Sequence, residues 1–254
     1  MTLPAAFLRI PIAHRALHDR ASGRPENSIE AVRAAVAAGY GIEIDLQLSQ
    51  DGEAIVFHDY DLARLTAETG PVQQRTAAQL TAIPLTGGTH TIPTLSTVLA
   101  EVAGRVPLLI EIKDQDGALG PAVGRLEQAT ARALEGYRGD VAVMSFNPNS
   151  PRVFGGMAPA IPVGLTTCDF RDDEWQLVPK ARLDRLRDIP DIKPSRAQFI
   201  SHDAADLDNP RVTQLKAQGL PILCWTIRSP EAEAAARHVA DNVTFEGYKA
   251  AIPA

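Results

Sequence analysis

The sequence predicts a (β/α)8 barrel. Strand-like runs alternate with helix-like runs from end to end, and eight such units fit a chain of 254 residues. The first strand-to-helix turn reads His14-Arg15-Ala16-Leu17, without the glycine-rich loop that marks a doubly wound open sheet. The strands expected are 10–14, 42–49, 107–113, 141–146, 162–166, 197–201, 221–226 and 243–246. Residues 53–58 form an additional return strand after the second. The expected organisation is a single domain over 1–254 with an inserted cap at about 59–92, a stretch rich in Thr, Gly, Gln and Pro that breaks the alternation.

Each element has a local cause. Asn27 or Ser28 caps a helix carrying Ile29, Val32 and Val36, and Gly39 closes it. The second strand, from Glu43 to Leu48, alternates polar and apolar side chains and so has two different faces. Asp51-Gly52 after it is a hairpin signal. As a two-residue loop it would pair Leu46 with Phe57, Leu48 with Ile55 and Asp45 with His58. Thr94 starts a helix with Leu95, Val98, Leu99 and Val102, ended by Gly104. The third barrel strand carries Glu111 and Lys113 on one face and Leu108, Ile110 and Ile112 on the other. Asn209-Pro210 and Ser229-Pro230 are N-cap and first-turn proline pairs, the first helix stopping at Gly219. The final helix is expected to be short or missing, because few residues follow the last strand.

Composition bounds the function. Apolar residues make up 45% and charged residues 22%, enough for a sizeable core. The net charge is −6 with no block of like charge, which argues against nucleic acid and anionic membranes as partners. No run of about 18 apolar residues exists, so no membrane span is expected. Pro4, Arg9 and Pro11 break the apolar N-terminal stretch and no basic region precedes it, so a cytoplasmic location is expected. Cys168 and Cys224 lie in no metal-spaced or redox motif.

Barrel active sites lie at the C-terminal ends of the strands, and polar residues collect there. These are His14 and Arg15 on strand one, Glu43 and Asp45 on strand two, Glu111 and Lys113 on strand three, Trp225 on strand seven, Glu246 on strand eight, and His58 on the return strand. Taken alone, a Glu-x-Asp pair is more often a solvated face, a histidine a hydrogen-bonded structural group, and a tryptophan core. Together they read differently. Three carboxylates at one mouth repel unless a positive charge sits among them, and oxygen ligands select a hard cation, Mg²⁺ or Ca²⁺, ahead of zinc. Arg15 and Lys113 supply charge for a phosphate. Two histidines beside them supply a general acid and a general base. His18, His90, His202 and His238 belong to no such group and are expected to be ordinary.

These residues carry a resemblance. His14-Arg15, Pro25-Glu26-Asn27-Ser28, Glu43-x-Asp45, Asp51-Gly52 with His58-Asp59, Glu111-x-Lys113 and Trp225-Thr226 occur in the order of the motifs of the glycerophosphodiester phosphodiesterase family, over nearly the whole chain. The resemblance implies a TIM barrel with an insertion after the His-Asp motif. It also implies metal-dependent hydrolysis of glycerophosphodiesters to glycerol 3-phosphate and an alcohol. By the same resemblance Glu43, Asp45 and Glu111 match metal ligands, and His14 and His58 match the acid–base pair. Arg15 and Lys113 match residues near the phosphate, Glu26 and Asn27 a polar support, and Trp225 an aromatic wall. Three positions depart from the family pattern: Ala16 where glycine is usual, Ser28 for threonine, and Phe245-Glu246 for Thr-Asp.

The expected partner is a small glycerophosphodiester. One alternative is a lysophospholipase D-like phosphodiesterase on the same barrel, which would want an apolar mouth. Another is a catalytically silent phosphate-binding barrel, which should have lost a histidine or a ligand. With the alcohol side lined by 59–92, a segment with few large apolar residues beyond Leu62, Leu65 and Leu80, choline and ethanolamine head groups should react within roughly tenfold of each other.

Overall fold

The computed structural model describes residues 2–253. Strand β1 (Ile12–Ala13) pairs with β2 (Gly41–Leu48) on one side and β9 (Asn242–Phe245) on the other. The ring continues through β8 (Ile222–Ile227), β7 (Ile200–Asp203), β6 (Val163–Thr167), β5 (Val141–Ser145) and β4 (Leu108–Ile112) back to β2. Every neighbouring pair in this ring is parallel, so the sheet closes as the expected (β/α)8 barrel. β3 (Ala54–Val56) lies antiparallel on β2, beyond the short β1. α1 (Ala6–Arg9) precedes the ring, and α2 (Ile29–Ala38) joins β1 to β2. α3 (Ala77–Leu80) and α4 (Leu95–Val102) follow β3. α5 (Arg125–Leu134) and α6 (Asn149–Met157) follow β4 and β5. α7 (Lys180–Arg187) and α8 (Ile192–Ser195) follow β6, and α9 (Pro210–Ala217) and α10 (Pro230–Ala236) follow β7 and β8. Among the described residues no helix follows β9.

The caps form where their residues dictate. Ser28 Oγ accepts the Ala31 amide at 3.1 Å, and Gly39 ends α2 at φ 77°. Ser229 Oγ accepts the Ala232 amide and Asn209 Oδ1 the Arg211 amide, each with proline at the first turn. α4 ends at Val102, and its cap is Ala103, one residue before the expected Gly104, in the left-handed region at φ 48°.

The two strand faces separate two cores. Outward residues such as Ile42, Ile44, Ile110 and Ile112 pack against Val32, Leu95 and Val98 of the helices. Leu109, Ala142, Met144, Phe199 and Leu223 instead gather with Ile12 and with Phe7 of α1, filling one end of the barrel. Asn242 fixes that plug, its Nδ2 donating to Phe7 O at 2.8 Å and Ile10 O at 2.7 Å. Gly164 of β6 is required here, since a Cβ on it would fall 2.4–2.6 Å from the buried Phe199 ring. Gly164→Ala should therefore destabilise the fold by about 1–3 kcal/mol, read from the denaturant midpoint. An unchanged midpoint would mean the interior is not packed as described.

The hairpin register differs from expectation by one residue. Leu46 pairs with Val56, Gln47 with Ile55 and Leu48 with Ala54. Asp45 lies opposite Phe57, whose amide donates to Asp45 O at 3.0 Å. Asp45 and His58 are thus not a cross-strand pair, nor are Leu46 with Phe57 or Leu48 with Ile55. The cause is the turn. Ser49 Oγ donates to Asp51 Oδ1 at 2.7 Å and accepts the Glu53 amide at 2.8 Å. The loop therefore spans three residues, Gln50-Asp51-Gly52, with Gly52 at φ 90° in the left-handed position such loops require. A one-residue shift exchanges faces. Ala54 and Val56 join the main core, while Ile55 and Phe57 pack on Leu62, Val72, Leu80 and Ile92 of the 59–92 segment.

Candidate active site

The site is built at the C-terminal ends of the strands. After β1 the chain turns through two left-handed residues, Arg15 at φ 50° and Ala16 at φ 63°. The turn places the Arg15 amide 2.8 Å from Glu43 Oε2 and the Ala16 amide 2.9 Å from Glu43 O. Ala16 adopts the backbone that glycine would take more easily, at a cost of about 1 kcal/mol.

Glu43, Asp45 and Glu111 are buried, and their carboxylate oxygens lie within 4.8 Å of one another. Asp45 and Glu111 are register partners on β2 and β4, which is what brings them together. Lys113 Nζ stands 2.8 Å from Asp45 Oδ1 and donates to Glu111 Oε1 at 2.6 Å. Asn27, in a left-handed conformation, donates its Nδ2 to Asp45 Oδ2 at 2.8 Å. Arg15 Nη1 donates to Glu26 Oε1 at 2.8 Å. Its Nε lies 3.7 Å from Asp45 Oδ2, buried and without a hydrogen-bond partner among the described residues, a donor available to an anion.

Electrostatics sort these groups. Burial opposes ionisation of Asp45, yet Lys113, His58 and Arg15 hold it far below the usual carboxylate range. Burial, reinforced by the charges of Asp45 and Glu111, pushes Glu43 well above it. Burial opposes the Lys113 charge, but Asp45 and Glu111 keep it protonated beyond the ordinary lysine range. With all three ionised, the carboxylates exceed the two cations by one negative charge. A hard divalent cation would reverse that sign and match an incoming phosphodiester monoanion. The all-oxygen donor set and the crowding that lifts Glu43 both fit such an ion.

Each histidine is held by a carboxylate. His14 Nδ1 lies 2.6 Å from Glu246 Oε2, and His58 Nδ1 lies 2.6 Å from Asp59 Oδ1. A carboxylate can only accept, so both Nδ1 atoms carry hydrogen and both Nε2 atoms remain for chemistry. Hydrogen bonds from His14 and His18 hold Glu246 far below its ordinary pKa. Burial depresses His14, and the bond to Glu246 partly offsets this. Burial opposes the Asp59 charge, but hydrogen bonds from Arg64 and His58 keep it ionised.

His14, Arg15, Glu43, Asp45, His58, Glu111, Lys113 and Trp225 line one cavity of about 160 Å³. Glu26 and Asn27 stand behind it, on Arg15 and Asp45. Four residues have contacts that the sequence did not assign. Glu246 and Asp59 hold the histidines. Arg64 pairs with both Glu26 and Asp59, at 2.8 and 2.6 Å, tying the 59–92 segment to the site. His18, expected to be ordinary, shares Glu246 Oε2 at 3.4 Å. The available signals were the strand-end position of Glu246 and its departure from the family pattern. Its partner lies 232 residues away, beyond the reach of local pattern.

Beside this cavity opens a larger one of about 660 Å³ that shares His58, Glu111, Lys113, Phe146 and Trp225 with it. Its apolar wall comes from Phe146, Trp175, Leu177, Leu119 and Trp225, while the 59–92 segment contributes Asp59 and Tyr60. The mouth is thus more aromatic than the sequence led us to expect, because loops after β4 and β6 build it.

The sequence model of the Glycerophosphoryl diester phosphodiesterase family matches residues 14–245. A Bacillus subtilis protein is 27% identical over 234 residues, 88% of each chain. The glycerophosphodiester phosphodiesterase of Caldanaerobacter subterraneus subsp. tengcongensis is 33% identical over 166 residues, 61% of this chain and 65% of that protein. Among solved structures, an Oleispira antarctica phosphodiesterase in complex with the product sn-glycerol-3-phosphate is similar in fold. Its TM-score is 0.74 at 22% identity, and 93% of each chain is covered.

Proposed function

Because this chain belongs to the glycerophosphoryl diester phosphodiesterase family, we propose that it hydrolyses glycerophosphodiesters to glycerol 3-phosphate and an alcohol, with a divalent cation, Mg²⁺ or Ca²⁺, and two histidines. The observation that carries the reading is the 160 Å³ cavity, where three carboxylates, two cations and two carboxylate-backed histidines meet.

In this reading Glu43, Asp45 and Glu111 hold the cation, which when bound neutralises phosphate charge. Arg15 and Lys113 address the phosphoryl oxygens and stabilise the charge that grows on them in the transition state. One histidine takes the proton of the nucleophile on its Nε2, and the other delivers a proton from its Nε2 to the departing alkoxide. Asp59 and Glu246 keep both rings in the tautomer that makes this possible. Glu26 and Asn27 orient Arg15 and Asp45. Trp225 is anchored by Nε1 donating to Ser201 O at 3.0 Å and walls the alcohol side. The cytoplasm is the compartment this reading assumes. Among the described residues no helix is long and apolar enough to cross a membrane.

Glu246 gives a test of assignment. Glu246→Gln removes the charge that supports protonation of His14, so the His14 pKa should fall further. The limb of the kcat profile that reports His14 should move to lower pH, with kcat reduced about tenfold or more. Movement of the acid limb identifies His14 as base, and movement of the alkaline limb identifies it as acid. A profile that keeps both limbs would remove Glu246 from the machinery. The activity itself is tested by release of glycerol 3-phosphate from a panel of glycerophosphodiesters. A preference for lysophospholipid would favour the lysophospholipase D-like alternative, and binding without turnover the silent barrel.

A further inference from the structure

We propose that the 660 Å³ cavity beside the phosphate site is a subsite for a quaternary ammonium alcohol of the choline type, the leaving group of the substrate. The inference rests on the phosphodiesterase reading above and names the alcohol that reading leaves open.

The place is right for a leaving group. The cavity shares His58, Glu111 and Lys113 with the phosphate side, so a diester seated there extends its alcohol into the larger space. The wall is aromatic on more than one side. Phe146 meets Trp175 at 5.0 Å and 57°, and Trp225 at 5.5 Å and 85°. Rings so inclined turn their faces in different directions around one corner. Phe170 backs the corner, 5.3 Å from Trp175 and 6.1 Å from Phe146.

The charge is right for a cation. Asp114, Asp173 and Glu174 line the same cavity. Asp59 lines it too but is paired with Arg64 and His58, and Lys113, the one lysine or arginine lining it among the described residues, is ion-paired to Asp45 and Glu111. Arg171 pairs with Asp173 and Glu174, but these partners are more than half exposed, so their field at the mouth is only weakly cancelled.

Three occupants can be compared on this wall. A quaternary ammonium has no N–H to satisfy, carries a diffuse and weakly hydrated charge, and gains from ring faces and from carboxylates without needing direct hydrogen bonds. A primary ammonium is compact, strongly hydrated and wants three acceptors, which ring faces do not supply. An acyl chain would have to cover Asp114, Asp173 and Glu174 with methylene groups, at the cost of their hydration. The observations favour the first. They also revise the expectation that choline and ethanolamine are treated alike, since that expectation placed the 59–92 segment along the alcohol.

The chain has two tryptophans, and both line this cavity, so intrinsic fluorescence reports on it directly. The experiment titrates choline, tetramethylammonium and ethanolamine chlorides into the protein with excess chelator, then compares kcat/KM for glycerophosphocholine and glycerophosphoethanolamine. Choline and tetramethylammonium should give saturable changes with Kd about tenfold below that of ethanolamine, and glycerophosphocholine should be preferred about tenfold. Trp175→Ala should bring both ratios toward one, read through Trp225, while Trp175→Phe should keep part of each. Equal responses to the three cations, or ratios unchanged in Trp175→Ala, would overturn the subsite. The two readings fail separately: cation binding without hydrolysis of any diester overturns the activity and supports the subsite, whereas hydrolysis without choline preference overturns the subsite alone.

Discussion

Replacing His58 or His14 by alanine should each lower kcat by about 10²–10⁴-fold while leaving the fold intact. Both rings line the 160 Å³ cavity, and both are held by a carboxylate at 2.6 Å from Nδ1. Such backing is costly to maintain at a partly buried site unless the opposite nitrogen has work to do. Proton transfer at Nε2 is lost with the ring. KM should change little, because substrate charge is met by Arg15, Lys113 and the cation. His18→Ala provides the contrast. Its ring contacts Glu246 at the long distance of 3.4 Å, and its removal should reduce kcat far less. The comparison needs steady-state rates alongside thermal melts of all three variants. Equal losses across the three would mark a structural cluster mistaken for an acid–base pair.

Glu43→Gln should abolish turnover, by about 10³-fold or more, and yet stabilise the metal-free protein. Glu43 is buried against Asp45 and Glu111, and its pKa is pushed well above the carboxylate range. The sign follows from linkage. A carboxyl whose folded pKa exceeds its unfolded value supports folding fully below the unfolded pKa, and that support is lost as pH rises through the folded value. In chelator, wild-type stability should therefore decline from about pH 4.5 upward on this account. Glutamine does not ionise and escapes the decline, so its Tm near pH 8 should exceed that of the wild type by a few °C. Added Mg²⁺ or Ca²⁺ should raise the wild-type Tm and should raise that of Glu43→Gln far less. A variant that melts lower in chelator, or responds equally to the cations, would contradict the cluster's role.

What could be read from sequence was what local chemistry determines. Ser28, Asn209 and Ser229 cap helices because a side-chain oxygen reaches an amide two or three residues ahead. The barrel strands follow from apolar runs that must be buried on the helix side, as at Leu108, Ile110 and Ile112. The site residues sit at strand ends, where topology alone gathers them. The misses have physical reasons too. The hairpin shifted by one because the Ser49 hydroxyl joined the turn and made the loop three residues long. Glu246 and Arg64 act on partners that come close only after the ring closes. The aromatic mouth was invisible because Trp175 and Leu177 lie on an irregular connection between β6 and α7, with no periodicity to betray a shared wall.

The most direct test is release of glycerol 3-phosphate from glycerophosphocholine by the purified protein, first as prepared, then in excess chelator, then after Mg²⁺ or Ca²⁺ is restored. The carboxylate cup predicts product at the start, none in chelator, and recovery on adding back either ion. Undiminished release in chelator would contradict the metal-dependent account, and the absence of glycerol 3-phosphate under every condition would contradict the phosphodiesterase itself.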